Sequence, residues 1–301
     1  MSINALCIGH ACYDLCMVVD SFPAENSKTE TELLIESGGG PAANAAWLLA
    51  RWGVPTALAA LVGDDEYGEK VIAELRGAGV DCRLMRQHPN HLTPVSFIVA
   101  NRSVASRTII NRKQPQAHLR LELGAFELIM PKLVLCDGHE LEASVAALDA
   151  FPSAITVLDA GSLRAGTQAL AKRVRYLVCS ERFAVQVTGC GDLSSGWKSA
   201  LPELRHSNEQ TVVVTLGERG LFYLDGHEFG HVPALAGPAC DTTAAGDIFH
   251  GAFAFALLQA MPLRDALELA TVAAGLSVRK FGGRPSAPDL MTVQNWGPHG
   301  T

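Results

Sequence analysis

The sequence predicts an α/β protein built on a doubly wound, mostly parallel sheet with helices on both faces. After about residue 125, short apolar runs that end in polar residues or glycine alternate with helical segments, and this alternation is typical of parallel sheets. The chain of 301 residues is 48% hydrophobic and 18% charged, so it can bury a sizeable core. The four apolar runs are LIMPKLVLCD, AITVLDAG, VRYLVCSE and TVVVTLGERG.

The first 77 residues add two strands and two helices to this prediction. Residues 3–9 form a short apolar run that ends in glycine, as expected of a buried parallel strand. The run GGGP at 38–41 opens an apolar helical stretch that ends at Gly53. Residues 56–63 indicate the next buried strand, and 65–77 a second helix.

Two segments, 15–36 and 95–112, do not fit the alternation of strand and helix. Both contain runs in which apolar and polar residues alternate, as in half-exposed strands, and turn-prone residues interrupt them. They are either edge decoration of the main sheet or a small separate sheet that covers a site as a lid. Residues 82–87 are one more strand candidate, and 261–280 are predicted to be mostly helical.

Composition excludes several classes of function. The net charge of −7 gives no reason to expect binding to nucleic acid or to an anionic membrane. The first residues lack the pattern of a signal peptide and no apolar run is long enough to span a bilayer, so we expect a cytoplasmic protein. The eight cysteines form no C-x-x-C pair and are interpreted as buried free thiols in a reducing compartment: Cys7, Cys12, Cys16, Cys82, Cys136, Cys179, Cys190 and Cys240.

The stretch 241–258 combines a turn of small residues with a helix. From Asp247 onward, apolar residues recur at helical spacing, so a helix N-terminus lies near this carboxylate. Asp247 is either an N-cap, which would stabilise the helix by about 1 kcal/mol, or a group that accepts a proton from an attacking hydroxyl. In the second interpretation, the N–H groups of Ala244, Ala245 and Gly246 form an anion hole for a transferring phosphoryl group.

This stretch resembles the signature D-T-x-[GA]-A-G-D-x-F-x-G-A of the ribokinase-like (PfkB) sugar kinases, and Ala244 stands where many members have glycine. The resemblance implies an ATP-dependent kinase that uses magnesium, with Asp247 as the catalytic base. It also implies a single domain over residues 1–301, whose lid covers the sugar and pairs with a second subunit. The residues in register are Asp241, Thr242, Ala245, Gly246, Asp247, Phe249, Gly251 and Ala252.

The same resemblance assigns four residues to the sugar. Asp14 follows the first strand, at a position where the family binds sugar hydroxyls, and a carboxylate can accept two of them at once. Gly39, Gly40 and Asn44 match the family's motif of two glycines followed shortly by Ala-Asn. Glycine lets a sugar approach the backbone, and the asparagine amide both donates and accepts hydrogen bonds. A turn residue at 14 and a glycine-rich helix start are the alternatives.

The nucleotide loop is implied by Thr215, Gly217 and Gly220 in TLGERG. Many members also carry an N-x-x-E motif that organises metal and phosphate, whereas this chain has Ser180 followed by Glu181. Ser180 is assigned to the nucleotide on the ground that ketohexokinase and sulfofructose kinase relatives also have serine there. Magnesium handling is expected to differ from that of members with the motif, with Glu181 as a partial substitute.

A site for a monovalent cation such as K⁺ is implied near the C-terminus. In ribokinase a segment like RKFGGRPSAP forms that site together with the signature stretch. The matching residues are Asp241, Thr243, Gly282 and Ser286.

The substrate is predicted from details of the motifs. GGGPAA, FHGA and GGR-P are more similar to the ketohexokinase and sulfofructose kinase branch than to ribokinase. Lys28 and Asn111 fall where that branch would hold an anionic end, but His139 replaces an expected arginine, and a histidine is mostly neutral above pH 6.5. We therefore expect a ketohexose or a related keto-sugar. The alternatives are a nucleoside kinase and a catalytically silent sugar-binding regulator.

Overall fold

The main sheet has eight strands and is mostly parallel, as predicted. A computed structural model describes residues 3–114, 118–122, 124–127 and 129–296. Six neighbouring strands are parallel, and the last two on one side pair antiparallel. From edge to edge the strands are β14 (Glu228–Val232), β13 (Leu221–Asp225), β12 (Thr211–Thr215), β11 (Tyr176–Ser180), β10 (Ile155–Ala160), β9 (Leu133–Cys136), β1 (Ala5–Ile8) and β4 (Thr56–Ala59).

Helices cover both faces of this sheet. Successive side chains of a strand point to opposite faces, and β1 shows the result: Ala5 and Cys7 belong to one apolar core, Leu6 and Ile8 to the other. The first core packs against α1, α7 and α8, and the second against α3 to α6. The helices are α1 (Pro41–Arg51), α2 (Glu66–Gly77), α3 (Leu141–Ala150), α4 (Ala165–Ala171), α5 (Glu181–Thr188), α6 (Leu193–Leu204), α7 (Ala245–Leu258), α8 (Leu263–Ser277) and α9 (Leu290–Gln294).

The segments that broke the alternation form a separate four-stranded sheet, the lid. Its order is β3 (Leu34–Gly39), β2 (Cys12–Val19), β7 (Val95–Asn101) and β8 (Ser106–Arg112). The pairing of β2 with β7 is parallel, and the other two pairings are antiparallel. Residues 20–33 separate β2 from β3, so the interruption within the segment 15–36 is longer than its turn-prone residues alone.

One predicted strand proved to be two, and the prediction of free cysteines is confirmed. The single strand predicted at 56–63 is two strands, since β5 (Leu61–Gly63) leaves the main sheet to pair with β6 (Arg86–His88). All eight cysteines are free thiols, six of them buried, as expected. None of the helices in the described part of the chain is long and apolar enough to cross a membrane.

Candidate active site

A cavity of about 460 Å³ lies between the main sheet and the lid, large enough for a small ligand. Its walls come from loops that follow β1, β9 and β10, from the start of α7 and from three lid strands, β2, β7 and β8. Open α/β sheets bind ligands at this edge. The predicted site residues that line it are Asp14, Gly40, Asn44, Asn111, Ser180, Thr215, Thr243, Ala244, Gly246 and Asp247.

Asp247 lies in the first turn of α7 with its carboxylate at the cavity. The helix begins at Ala245, so Asp247 is its third residue, and the interpretation of this residue as the N-cap is wrong. Its Oδ2 accepts a hydrogen bond of 2.7 Å from Asn44 Nδ2. Burial and then the charge of Asp159 raise the pKa of Asp247 to about 7, although the Asn44 hydrogen bond acts in the opposite direction. A carboxylate with this pKa is well suited to proton transfer near neutral pH.

A buried arginine orients Asn44. Arg284, which is 1% exposed, donates from Nε to Asn44 Oδ1 at 2.9 Å, and its Nη1 lies 3.3 Å from Glu74 Oε1. Because the guanidinium can only donate, it holds the amide oxygen and turns the amide N–H₂ group toward Asp247. Sequence reasoning missed Arg284. Its one signal was a charged residue enclosed by small residues in GGRPS.

The turn before α7 presents backbone amides to the cavity. Ala244 has a φ of 59°, the left-handed region that favours glycine, which explains why glycine is common there in similar sequences. Ala245 donates its N–H to the Thr242 carbonyl at 3.3 Å. Within the described residues, the N–H groups of Ala244, Gly246 and Asp247 have no acceptor, so these amides, and not that of Ala245, are the available donors for an anion. Arg107 of the lid contacts the Thr242 hydroxyl.

The Asp14 carboxylate faces Gly39, and the backbone at His10 faces Gly40. This buried carboxylate accepts a hydrogen bond of 3.3 Å from the Cys12 thiol, and burial raises its pKa. A Cβ on Gly39 would lie 2.1 Å from Asp14 Oδ2. Gly40 has a φ of 97°, and a Cβ there would lie 2.4 Å from the carbonyl oxygen of His10. Side chains at either position would therefore displace the Asp14 carboxylate or the backbone beside it.

The two lid residues that were predicted to hold an anionic end differ in position. Asn111 lines the cavity from β8, opposite Ser96 of β7. Lys28 lies in the exposed loop 20–33, does not line the cavity, and forms an ion pair of 2.8 Å with Glu30. The structure therefore does not bring Lys28 to the site.

Comparison with known proteins identifies the family. The model of the pfkB family carbohydrate kinases matches residues 2–290. The chain belongs to this family. It is 26% identical to the ribokinase of Schizosaccharomyces pombe, over 97% of this chain and 96% of that protein, and 26% identical to the deoxyribokinase of Salmonella typhi, over 94% and 95%. The reaction of this kinase is therefore the ATP-dependent phosphorylation of a sugar.

Solved structures with the same fold support the assignment. A putative ribokinase from Agrobacterium tumefaciens superimposes with a TM-score of 0.84 at 28% identity, covering 98% of this kinase and 97% of that chain. Arabidopsis thaliana ribokinase, solved with ribose and ATP, gives a TM-score of 0.80 at 23% identity, with 98% of both chains covered. The second comparison bears on the fold alone.

The residues predicted to hold the nucleotide lie at and beyond the ends of β11 and β12. Ser180 caps α5: its Oγ accepts from Phe183 N at 3.1 Å and donates to Gly161 O at 2.8 Å. Thr215 lines the cavity, whereas Gly217 and Gly220 lie beyond it in the turn that leads to β13. Glu181, which is expected to replace part of the missing motif, forms an ion pair with Arg219, and its role toward metal stays a prediction.

The residues assigned to a monovalent cation lie together, but both carboxylate oxygens of Asp241 already accept hydrogen bonds from the protein. Asp241 Oδ1 accepts from Thr243 N and Oγ1 at 2.9 and 2.6 Å, and Oδ2 accepts from Gly282 N at 2.9 Å. The Ser286 hydroxyl donates to Gly283 O at 2.7 Å. A cation site here stays a prediction.

A second buried acid, which sequence reasoning did not assign, lies beside Asp247. Asp159 follows the hydrophobic part of β10 and lines the cavity, with Oδ2 3.3 Å from His250 Nδ1. Burial raises the pKa of Asp159 and lowers that of His250, so both side chains favour their neutral forms. The same His250 nitrogen lies 2.6 Å from Gly246 O, at the start of α7.

A basic cluster, Lys113, His139 and Arg164, occupies another wall of the cavity. Lys113 Nζ is 2.7 Å from His139 Nδ1, and Arg164 Nη1 is 3.0 Å from His139 Nε2. His10 stacks on His139 with 4.6 Å between ring centroids. Burial, together with the smaller effects of Lys113 and Arg164, lowers the pKa of His139 to about 4, although the charge of Asp137 acts in the opposite direction. Only His139 was singled out from the sequence, because residues 113 and 164 carry no local motif.

Proposed function

We propose that this kinase transfers the γ-phosphate of ATP to a hydroxyl of a ketohexose or a related keto-sugar, with Asp247 as the general base. The observation that carries the proposal is the carboxylate of Asp247, which faces the cavity at the start of α7 and is held by the Asn44 amide at 2.7 Å. Its raised pKa allows it to accept a proton from an alcohol as the phosphorus–oxygen bond forms.

Each part of the transfer has a group in the structure to support it. The sugar oxygen attacks the γ-phosphorus, its proton passes to Asp247, and the bond from the γ-phosphorus to the leaving ADP oxygen breaks. The amides of Ala244 and Gly246 donate to the oxygens of the transferring group, beside the positive end of the α7 dipole. Positioning and electrostatic stabilisation supply most of the rate in such transfers.

The donor set fits a magnesium ion that arrives with the nucleotide. The described residues contain no group of three or more His, Cys, Asp or Glu side chains that could hold a metal ion. Mg²⁺ usually keeps several waters and binds one or two carboxylates together with substrate phosphates. Asp159, which lies beside Asp247 at the cavity, would supply such a carboxylate. The bound ion would neutralise charge on the phosphates.

The sugar is expected against Asp14, Gly40, Asn44 and Asn111. Asp14 and Asn44 offer acceptors for hydroxyl hydrogens, and Gly40 leaves the backbone open to the ring. The preference for a ketose rests on the motif variants GGGPAA and FHGA. Relatives with full-length similarity include ribokinases, deoxyribokinases and a probable fructokinase of Arabidopsis thaliana, so a pentose is the competing substrate.

Two other functions compete with this proposal. A nucleoside kinase would share Asp247 and the amides of the turn, and a silent sugar-binding regulator would share only the sugar residues. The hydrogen bond from Asn44 to Asp247 and the raised pKa of Asp247 favour a catalytically active kinase over a regulator.

An ATP-consumption screen tests the proposal. Purified kinase is mixed with Mg·ATP and fructose, acidic keto-sugars, ribose, deoxyribose or nucleosides, and ADP release is measured. We expect a ketose to give the highest kcat/KM. If ribose or a nucleoside exceeds every ketose by more than tenfold, a difference of about 1.4 kcal/mol, the ketose assignment is wrong. Absence of turnover with all sugars would favour the regulator.

We also propose that the kinase is a homodimer through the outer face of the lid. Leu34, Phe97 and Ile110 lie on that face and are 52%, 40% and 64% exposed. Large apolar side chains aligned across a sheet are typical of surfaces that a partner covers. A two-fold axis would let two lids cover each other.

A further inference from the structure

Glu74 of α2 forms an ion pair with the arginine that holds Asn44, although the Glu74 side chain is half-buried and does not line the cavity. We infer that Glu74 is a positioning residue for the reaction: its charge fixes the guanidinium of Arg284, and the guanidinium directs the Asn44 amide toward Asp247. This inference rests on the proposed function, in which Asp247 is the general base. The sequence analysis gave Glu74 no role beyond its place in a predicted helix.

Charge balance is the first argument. Arg284 is 1% exposed, and an arginine keeps its positive charge even when it is buried. Glu74 Oε1 lies 3.3 Å from Arg284 Nη1, and among the residues that the structure describes it is the only carboxylate at salt-bridge distance from this guanidinium. Loss of one partner of a buried ion pair is strongly destabilising. Glu74 is therefore the counter-ion that lets the guanidinium stay where it can hold Asn44.

Hydrogen-bond geometry is the second argument. Arg284 Nε donates to Asn44 Oδ1 at 2.9 Å, whereas Nη1 and Nη2 have no hydrogen-bond partner in the described part of the chain. A planar guanidinium that is held at one nitrogen alone can still turn about that contact. The attraction of Glu74 for Nη1 adds a second fixed point, so the orientation of the guanidinium, and with it that of the Asn44 amide, is determined.

The backbone of Gly38 gives the third argument. A Cβ on Gly38 would lie 2.1 Å from Arg284 Nη1, so the guanidinium lies directly against this backbone at the end of β3. Gly38 also donates its N–H to Glu74 Oε2. The first glycine of GGGP, which was not assigned to the sugar, therefore makes room for Arg284 and aligns Glu74 with it.

The same ion pair reaches the lid strand beside the proposed sugar carboxylate. Gly39, which directly follows Gly38, faces Asp14. Burial raises the pKa of Asp14, and the charge of Arg284 acts in the opposite direction and favours the ionised form. The pair thus supports the residue that holds Asp247 and also the strand that faces Asp14, both from outside the cavity.

Steady-state kinetics of Glu74→Gln test the inference on the sugar with the highest kcat/KM. Glutamine keeps the size and can still accept from Gly38 N, but it removes the charge that fixes Arg284. We expect kcat to fall about 10- to 100-fold, because a small displacement of a positioned group slows the chemical step, with an unchanged KM for ATP. Glu69→Gln, the same substitution at an exposed position of the same helix, is the control and should keep the wild-type kcat.

Two further variants separate positioning from folding. Glu74→Asp keeps the charge but moves it away by one methylene, and its kcat should lie between those of wild type and Glu74→Gln. The double variant Glu74→Gln with Arg284→Gln removes both charges, so no buried charge is left unpaired. If Glu74 acts through Arg284, the kcat of the double variant should equal that of Arg284→Gln alone. Melting temperatures report the structural contribution of the pair independently of kcat.

The outcomes distinguish failure of this inference from failure of the proposed function. Wild-type kcat in folded Glu74→Gln, or in Glu74→Asp where the glutamine variant does not fold, would overturn the inference and leave the kinase assignment intact. Multiplied losses in the double variant would overturn it as well. A loss in Glu74→Gln beside near-normal kcat in Asp247→Asn would reject Asp247 as the base and, with it, the role of Glu74 toward that base. Preference for ribose would reject the ketose assignment alone.

Discussion

The floor of the cavity and the lid above it hold their polar side chains in different ways. On the floor, Asp247, Asn44 and Arg284 form a chain of hydrogen bonds between packed helices and turns. In the lid, every residue of β8 is exposed, and within the described part of the chain the side chain of Lys113, just beyond β8, has one hydrogen-bond partner, His139. In the proposed function, Asp247 on the floor would accept the proton, whereas Asp14 and Asn111 of the lid would contact the sugar together with Asn44 of the floor.

Asp247→Asn tests whether the floor supplies the general base, and it has the largest expected effect on kcat. The amide keeps the shape and can still accept from Asn44, but it cannot take the proton, so kcat should fall about 10²- to 10⁴-fold. The KM for the sugar and the melting temperature should change little. Measuring the sugar KM and the melting temperature together with kcat distinguishes a defect in chemistry from a defect in folding. Near-normal turnover in a folded variant would reject Asp247 as the base.

The pH profile tests whether the floor controls protonation. Since the raised pKa of Asp247 is about 7, the carboxyl is half protonated at that pH, and kcat/KM should fall about tenfold per pH unit below it. Because Asp159 and Asp247 interact, Asp159→Asn should change the midpoint, and an unchanged midpoint would show that the two carboxyls titrate independently. A midpoint near 4 in the wild type would show that burial does not perturb the base.

A charge on the outer lid face tests whether the lid depends on a second subunit. Ile110→Glu places a carboxylate among apolar side chains and should convert a dimer to a monomer at micromolar concentration, as measured by light scattering. We expect kcat/KM for the sugar to fall by no more than about tenfold, which is less than for the Asp247 variant. Val104→Glu, in the exposed turn before β8, is the control. An unchanged mass for Ile110→Glu would contradict the lid interface.

The smallest expected effects come from two alanines with left-handed backbone. Ala244 on the floor has a φ of 59°, and Ala105 in the lid turn has a φ of 50°. Glycine relieves this strain, and the net stabilisation should be about 0.5–1 kcal/mol after the entropic cost of glycine. If the lid opens independently of the floor, only Ala244→Gly should raise the melting temperature, by a few degrees. Equal shifts for both variants would show that the two regions unfold together.

The fold class could be predicted because its signals are local. Apolar runs and helical periodicity between residues 125 and 220 reflect burial on two faces of a parallel sheet, and each run predicts its own element. The lid was harder to place, since alternation of polar and apolar residues is equally consistent with an edge strand. Contacts between β2 and β7, about 80 residues apart, decided that question.

Part of the site could be predicted for the same reason. Asp247 and its turn form one continuous motif, and Gly39, Gly40 and Asn44 form another, so the sequence contained enough information to propose both. Lys28 shows the limit of this reasoning, because a plausible position in the sequence proved to be an exposed loop with its own ion pair. A loop has no periodicity that fixes its direction.

The sequence by itself therefore determined the family, the fold class and the candidate base, since these depend on short-range patterns. Only the tertiary structure decided which distant groups act together. Arg284 meets Asn44 across 240 residues, and Lys113 and Arg164 meet at His139 from 26 and 25 residues on either side of it. The physical reason is that the charge and hydrogen-bond balance of a buried group depends on every neighbour in space, and the folded chain selects those neighbours.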